Sequence, residues 1–369
     1  NNIEISPSWV ELADKLNEYK GIVMVIGASD TGKSTLVSFL GRELYSKGNK
    51  VCIIDGDVGQ SIIGPPTTIG LAFIKSPIKV LHSIQPDLMF FVGSTSPLGR
   101  LLPTIVGMKK LLEKSIQNGT DITIINTTGF VSGEAAWELK FEKINLLNPG
   151  HIVAIQRSGE IESILEPYEG IRQLKIHRHA VHEKVKRKSQ EQRRVYREQR
   201  FRDYFRHAEE REIRLDRITI VNPYHISTLT ENVFEKDENR DKNNLTAQKT
   251  IENNLQCKTD LPQARRMDTL QSLLVGLNDE DNFALGLGKA EKIDPSLSYC
   301  CSTSLQKLYA PAFKNIIFSP FFGFSKNTLY LNISIESGVH PFMVYASPLS
   351  ISPSTRSLMC ATNVSIAEL

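Results

Sequence analysis

The sequence predicts an α/β protein: a parallel sheet flanked by helices, followed by a smaller β-rich C-terminal domain. Three observations carry this. Short continuous apolar runs recur along the first half of the chain. Stretches of helical period, a dozen or more residues long, separate them. The first apolar run ends in a glycine-rich loop that opens a helix. Strands covered on both faces lose the alternation of a half-exposed sheet, so their apolar runs are unbroken.

Taken in order, Ser8 is placed to cap a first helix, because Trp9, Leu12 and Leu16 then share one face. GIVMVIG (21–27) is the first strand. From Lys33, KSTLVSFLGRELYSKG has helical period and stops at Gly48, a C-terminal cap. KVCIIDGD is the second strand, LMFFVGS (88–94) the third, DITIINTTG (121–129) the fourth and HIVAIQ (151–156) the fifth; LLPTIVGMKKLLEKSIQN is the helix between the third and fourth. In such sheets ligands bind at the C-terminal strand ends, which here are Gly27, Asp55, Gly93 and Asn126.

After about residue 176 the composition shifts. Residues 184–217 hold thirteen Lys or Arg against seven acids, residues 236–260 are polar and read as an insertion or long surface loop, and TLQSLLVGLNDEDNFALGLGKAEKID reads as β-hairpin material. We expect a phosphate-binding domain over 1–215, a β-rich domain over 216–310 and a tail, 311–369, with no interpretable motif.

Composition bounds the function. The 369 residues are 40% hydrophobic and 23% charged, enough apolar material for one large or two ordinary domains. A net charge of +3 leaves any nucleic-acid signal to local clusters. Five cysteines without CxxC spacing argue against a disulfide framework and for a reducing, cytoplasmic setting. The N-terminus has no signal-peptide pattern and no run of about eighteen apolar residues occurs, so neither export nor membrane insertion is expected.

Gly27, Gly32, Lys33 and Ser34 satisfy G-x-x-x-x-G-K-[ST] after a strand and at the start of a helix, the context of a P-loop NTPase. Backbone N–H groups of the loop, Ser29, Asp30, Thr31 and Thr35 included, would cradle phosphate oxygens; Lys33 would reach the β and γ phosphates and Ser34 would offer its hydroxyl to Mg²⁺. In IIDGDVGQS, Asp55 and Asp57 lie two residues apart at a strand end, where one carboxylate holds Mg²⁺ through water and the other accepts a proton; the plain alternative is a solvated turn. NTTGF (126–130) offers small hydroxyl residues, a glycine and Phe130, which either stacks on a base or belongs to the core. Arg193, Arg197 and Arg200 fall at i, i+4, i+7, lining one helix face for polyphosphate, or simply forming a solvated basic helix.

The ordered set GASDTGKST, DGDVGQ, GSTSP, NTTGF and RRVYREQRFRDYF, spanning about residues 18–210, resembles the polynucleotide 5′-hydroxyl kinase family, P-loop RNA kinases related to the kinase subunit of the pre-mRNA cleavage factor and to ribosomal-RNA-processing kinases. The resemblance implies ATP or GTP with Mg²⁺ as cofactors, and RNA or DNA 5′-hydroxyl ends as partners. It implies Asp57 as general base, Asp55 as a magnesium or supporting group, and Gln60, Ser94 and Thr95 on the acceptor side. It further implies a clasp of Thr127, Gly129 and Phe130, with Phe where the family usually has Trp, and a lid over about 184–210 in which Arg193 and Arg197 are catalytic and Arg200 lies near the nucleotide. With the phosphate loop beginning at residue 27, a shorter, prokaryotic-type member without the large N-terminal β domain of eukaryotic relatives is expected.

Two rivals stay open on sequence: a P-loop NTPase serving as a switch or assembly factor with no phosphoryl acceptor, and a small-molecule kinase or ATP-dependent ligase of similar fold. The clasp aromatic and the arginine lid weigh against the first.

Overall fold

The computed structural model describes residues 5–77, 84–208 and 273–290, together with the backbone of short strand segments within 213–221, 293–300 and 315–323. Its centre is a seven-stranded sheet. Helix α1 (Pro7–Tyr19) leads into β1 (Gly21–Gly27), α2 (Lys33–Ser46) and β2 (Val51–Gly56); β3 (Thr68–Phe73) and β4 (Leu88–Phe91) follow, then α3 (Leu101–Gln117), β5 (Ile122–Thr127), α4 (Glu134–Leu147), β6 (His151–Gln156), the short α5 (Glu162–Leu165), β7 (Lys175–Ala180) and α6 (Gln190–Tyr204). The order is β4-β3-β2-β5-β1-β6-β7.

Alternation along β1 explains why the run GIVMVIG is apolar throughout. Val23 and Val25 face a core with Leu12 and Leu16 of α1 and Leu36 and Leu40 of α2, while Met24 and Ile26 face Met108, Leu111 and Leu112 of α3 and Ile144 of α4. Each such fully buried side chain contributes about 1.5–3 kcal/mol of transfer free energy.

Several expectations need correction. The first helix is entered at Ser6, with Pro7 in the first turn, and Ser8 lies inside it; neither serine caps a backbone N–H, and the two hydroxyls bond each other at 2.9 Å. The sheet is not wholly parallel. TIGLAF, unread in the sequence, forms β3, which runs antiparallel to both β2 and β4. A connection of about a dozen residues between β2 and β3 is too short for a helical crossover, so the chain turns back instead. A further strand, β7, pairs parallel to β6 at the opposite edge; its mixed burial concealed it.

The hairpin reading of the C-terminal region holds: β10 (Leu273–Asn278) and β11 (Ala284–Ala290) pair antiparallel. With β8 (Ile213–Arg214) and β9 (Thr219–Val221) before it, and β12 (Ile293–Asp294), β13 (Tyr299–Cys300) and β14 (Asn315–Gly323) after, the region builds a four-stranded sheet, β11-β10-β14-β9, and a three-stranded one, β12-β13-β8. The hairpin shares a core with the first part of the chain: Leu274, Ala284 and Leu287 pack on Met89, Phe91, Phe201 and Phe205. Residues 236–260, and the tail 311–369 apart from β14, lie outside the described residues.

Candidate functional site

Five segments meet at the C-terminal ends of the parallel strands, around a cleft of about 530 Å³. The first is the loop between β1 and α2. A Cβ on Gly27 would sit 2.4 Å from the carbonyl of Ile155, so only glycine passes there. Gly32 (φ 91°) enters α2 in the left-handed region, with no side chain capping the helix and no acid in its first turn. That leaves an electropositive helix start facing the cleft. Thr31 and Lys33 both donate to the carbonyl of Ala28, at 3.0 and 2.6 Å. Burial pushes the Lys33 ammonium down to about 8, although the nearby Asp57 and Asp30 carboxylates work against it. Ser29, Asp30, Gly32, Ser34 and Thr35 line the cleft beside it.

The second segment follows β2, and its two carboxylates differ. Asp55 is buried and fully bonded: Ile62 and Ile63 N–H donate at 2.6 and 3.2 Å, Asp57 N–H at 3.2 Å and Asn126 Nδ2 at 2.8 Å. Burial, with the Asp57 charge, pushes its carboxyl up to about 6 against these hydrogen bonds. It therefore does not offer a free oxygen to a metal, and its route to Ser34 runs through Asn126, whose Nδ2 also reaches Ser34 Oγ at 3.4 Å. Asp57 faces the cleft. Its Oδ1 accepts Gly59 and Gln60 N–H at 3.2 and 3.0 Å, and Oδ2 carries no hydrogen bond among the described residues.

Clasp and acceptor residues divide in the same way. Gly129, Phe130, Gln60 and Thr95 line the cleft. Thr127 does not: it is fully buried and its hydroxyl donates to Val25 O at 2.8 Å, tying β5 to β1, while Thr128 takes the lining position. Ser94 is likewise buried, its hydroxyl accepting the Ser96 N–H at 3.1 Å to shape a turn. A Cβ on Gly129 would lie 2.4 Å from Ser29 Oγ and 2.5 Å from Ser29 N, so the glycine lets clasp and phosphate loop touch.

The lid is α6, started by a capping box in which Ser189 Oγ accepts the Gln192 N–H at 3.1 Å and Gln192 Oε1 accepts the Ser189 N–H at 2.8 Å. Its arginines have separate tasks. Arg193 pairs with Asp30 at 2.6 Å, and the Lys188 N–H donates to the same carboxylate oxygen at 2.9 Å. Arg197 lines the cleft without an ion pair among the described residues; burial, with repulsion from Arg193, lowers its affinity for its proton. Arg200 is not at the nucleotide side: its guanidinium donates to the carbonyls of Ile62 and Gly64 at 3.1 and 2.7 Å, which anchors the lid to the segment after β2. Tyr196, within the arginine-rich motif but not expected at the site, donates from its hydroxyl to Ser61 O at 3.1 Å and lines the cleft.

A nucleotide polyphosphate suits this cradle of loop amides, Lys33 and Arg197. For a cation, the cleft offers the Ser34 hydroxyl and the Asp57 carboxylate; nearby, two buried oxygens, Asn126 Oδ1 and Gln60 Oε1, have no hydrogen-bond partner among the described residues. Such a sparse set fits a hydrated Mg²⁺ held together with phosphate oxygens. Among the described residues no cluster of three or more His, Cys, Asp or Glu is placed to cage a metal, and no helix is long and apolar enough to cross a membrane.

Comparison with known proteins places this geometry. A family model described as "mRNA cleavage and polyadenylation factor CLP1 P-loop" matches residues 27–207, the loop through the lid. The chain is 33% identical over 290 residues to a polyribonucleotide 5′-hydroxyl-kinase of Methanocaldococcus jannaschii, covering 74% of this chain and 78% of the relative. It is 34% identical over 302 residues to one of Thermococcus kodakarensis, covering 77% and 84%. Among solved structures, the wild-type Clp1p–Pcf11p complex aligns with a TM-score of 0.55 at 15% identity, covering 85% of this chain and 78% of that one, which supports the fold.

Proposed function

The chain belongs to the CLP1 P-loop family, and from that premise we infer that it is a polynucleotide 5′-hydroxyl kinase, moving the γ-phosphate of ATP or GTP to the 5′-hydroxyl end of RNA or DNA. The observation that carries the reading is the convergence of phosphate loop, acceptor candidates and lid on a single cleft. The phosphate loop with Lys33, the acceptor candidates Asp57, Thr95 and Phe130, and Arg197 of the lid all line this one cleft.

Bound magnesium nucleotide supplies the transferable phosphoryl group and its leaving group. The residues supply position and charge, which is most of what a loose phosphoryl transition state requires. Lys33 leaves the Ala28 carbonyl for phosphate oxygens. Ser34, backed by Asn126 and the bonded Asp55, orients its hydroxyl toward the cation. Asp57, with Oδ2 open to the cleft, takes the proton of the attacking 5′-hydroxyl, while its Oδ1 stays fixed by Gly59 and Gln60. Phe130 offers its ring to the terminal base, and Arg197 offsets the charge that develops on the transferring group.

The test is label transfer from γ-labelled ATP or GTP to matched 5′-hydroxyl and 5′-phosphate oligonucleotides, RNA and DNA side by side. We expect label on the 5′-hydroxyl strands alone. Label released only as free phosphate, whatever the strand's end, refutes the kinase and leaves a hydrolase or switch.

A further inference from the structure

Two lysines of α4 occupy positions where a helix packed on a sheet normally carries apolar residues. Lys140 and Lys143, three residues apart, are both fully buried, and neither forms an ion pair with a carboxylate among the described residues. Burial holds both below the ordinary lysine range, Lys143 at about 8. An ammonium so placed costs several kcal/mol to desolvate, and a methionine would pack in the same volume without that cost. Packing therefore does not account for the residue type.

The two differ in one respect. Lys140 Nζ donates to the carbonyl of Thr128 at 2.6 Å, whereas Lys143 Nζ has no hydrogen-bond partner among the described residues. Thr128 belongs to the clasp, and its carbonyl is half of the Thr128–Gly129 peptide. In a planar trans peptide the C=O and N–H point in opposite directions, so drawing this carbonyl toward α4 aims the Gly129 N–H away from it. Gly129 has no side chain to hold that peptide in place, and its Cα sits tight against Ser29 of the phosphate loop. A rotation of the peptide would displace Phe130, the next residue, from its place on the cleft wall.

We propose that Lys140 is a positioning residue of the acceptor half of the site: by holding the Thr128 carbonyl it locks the Thr128–Gly129 peptide and so sets Phe130 against the 5′-terminal nucleotide. The proposal rests on the kinase reading above. Lys140 lies outside the cleft lining; its hydrogen bond is to the clasp, and its charge also acts on Lys33 and Asp57.

The experiment uses the full chain and compares Lys140→Met with Lys143→Met, which removes an equally buried lysine from the same helix, one that also acts on Asp57 but makes no hydrogen bond to the clasp. Steady-state label transfer gives KM for nucleotide and for a 5′-hydroxyl RNA oligonucleotide; fluorescence anisotropy gives oligonucleotide binding directly. K140M is expected to raise the acceptor KM about tenfold, the scale of one lost buried hydrogen bond, with nucleotide KM unchanged. K143M keeps the acceptor KM within about threefold of wild type. In Lys140→Ala, added ethylamine is expected to restore part of the acceptor affinity, a rescue that a purely structural role would not show. A wild-type acceptor KM in K140M, a matching rise in nucleotide KM, an equal effect in K143M, or no rescue overturns the proposal. If the wild type transfers no label, the kinase reading falls, and the anisotropy arm still decides: weaker oligonucleotide binding by K140M than by K143M supports the clasp role, and equal binding overturns it.

Discussion

The guanidinium of Arg193 on the lid lies 2.6 Å from the carboxylate of Asp30 in the phosphate loop. Asp30 adopts a left-handed backbone (φ 54°), and its side chain is only 11% exposed. Burial raises its proton affinity, but the Lys188 N–H and Arg193 outweigh that and lower its pKa. Lid and loop are thus latched by an ion pair that spans 163 residues of sequence. Arg193, expected to act on phosphate, lines the cleft with its charge paired to the loop, and Arg197 lines it without an ion pair among the described residues.

Opening the latch should loosen the lid. Asp30→Asn removes the charge yet keeps an acceptor for Lys188, so the loop is retained while Arg193 loses its partner. We expect backbone amides of 190–204 to exchange about tenfold faster and nucleotide affinity to fall about five- to twentyfold, the scale of a partly buried ion pair. Hydrogen exchange and nucleotide titration measure the two; unchanged exchange across α6 would show that other contacts hold the lid. Because the folded-state pKa of Asp30 is lowered, the latch is intact above the ordinary Asp range and fails as pH falls through the lowered value.

Asp57→Asn separates binding from chemistry. Asparagine keeps an oxygen for the Gly59 and Gln60 N–H groups, so the turn after β2 survives. The proton acceptor is lost, and kcat should fall about 10²- to 10⁴-fold. Nucleotide affinity should change little. Single-turnover label transfer and a nucleotide titration report these independently, and a variant with wild-type kcat removes Asp57 from the role of base.

Phe130 sets the strength of acceptor stacking. Phe130→Ala should raise the acceptor KM about 5- to 100-fold, corresponding to the ~1–3 kcal/mol of one base–aromatic contact, and leave nucleotide KM in place. Phe130→Trp, which restores the aromatic usual in the resembling family, should lower the acceptor KM. Kinetics with oligonucleotides that differ only in the first base show whether the larger ring adds base preference. An alanine variant with wild-type acceptor KM places the ring in the core and not on the substrate.

What the sequence made legible was what local backbone chemistry decides. The phosphate loop declares itself because Gly27, Gly32, Lys33 and Ser34 need fixed spacing between a strand and a helix, and Asp55 and Asp57 declare themselves by their spacing at the end of the next strand. The unreadable parts were settled at long range. Which of Thr127 and Thr128 faces the cleft depends on β5 pairing with β1, which turns the Thr127 hydroxyl to Val25 O. Arg200 shares a helix face with Arg193 and Arg197, which suggests a place at the nucleotide, but its guanidinium is taken up by the carbonyls of Ile62 and Gly64. The short return from β2 to β3 reversed a strand that composition alone left unread.

Lys33 gives the site a pH response with opposite signs for folding and for binding. Its pKa in the folded chain is about 8, against 10.5 for an ordinary lysine, chiefly because it is buried; Lys143 is held at about 8 for the same reason. Between about pH 8 and 10.5 the unfolded chain therefore binds more protons at these two positions than the folded chain does. Stability rises with pH wherever that is so, and the contribution of these two lysines increases across the window. Nucleotide binding runs the other way. Polyphosphate requires the ammonium form, so affinity should decline above pH 8, and binding at pH 8–9 should take up protons as the phosphates draw Lys33 back to its charged state. Calorimetric titrations in buffers of different ionisation enthalpy measure that uptake. Lys33→Arg, which stays charged throughout the range, should abolish the part due to this residue. Proton uptake that persists undiminished in K33R would assign the titration to another group.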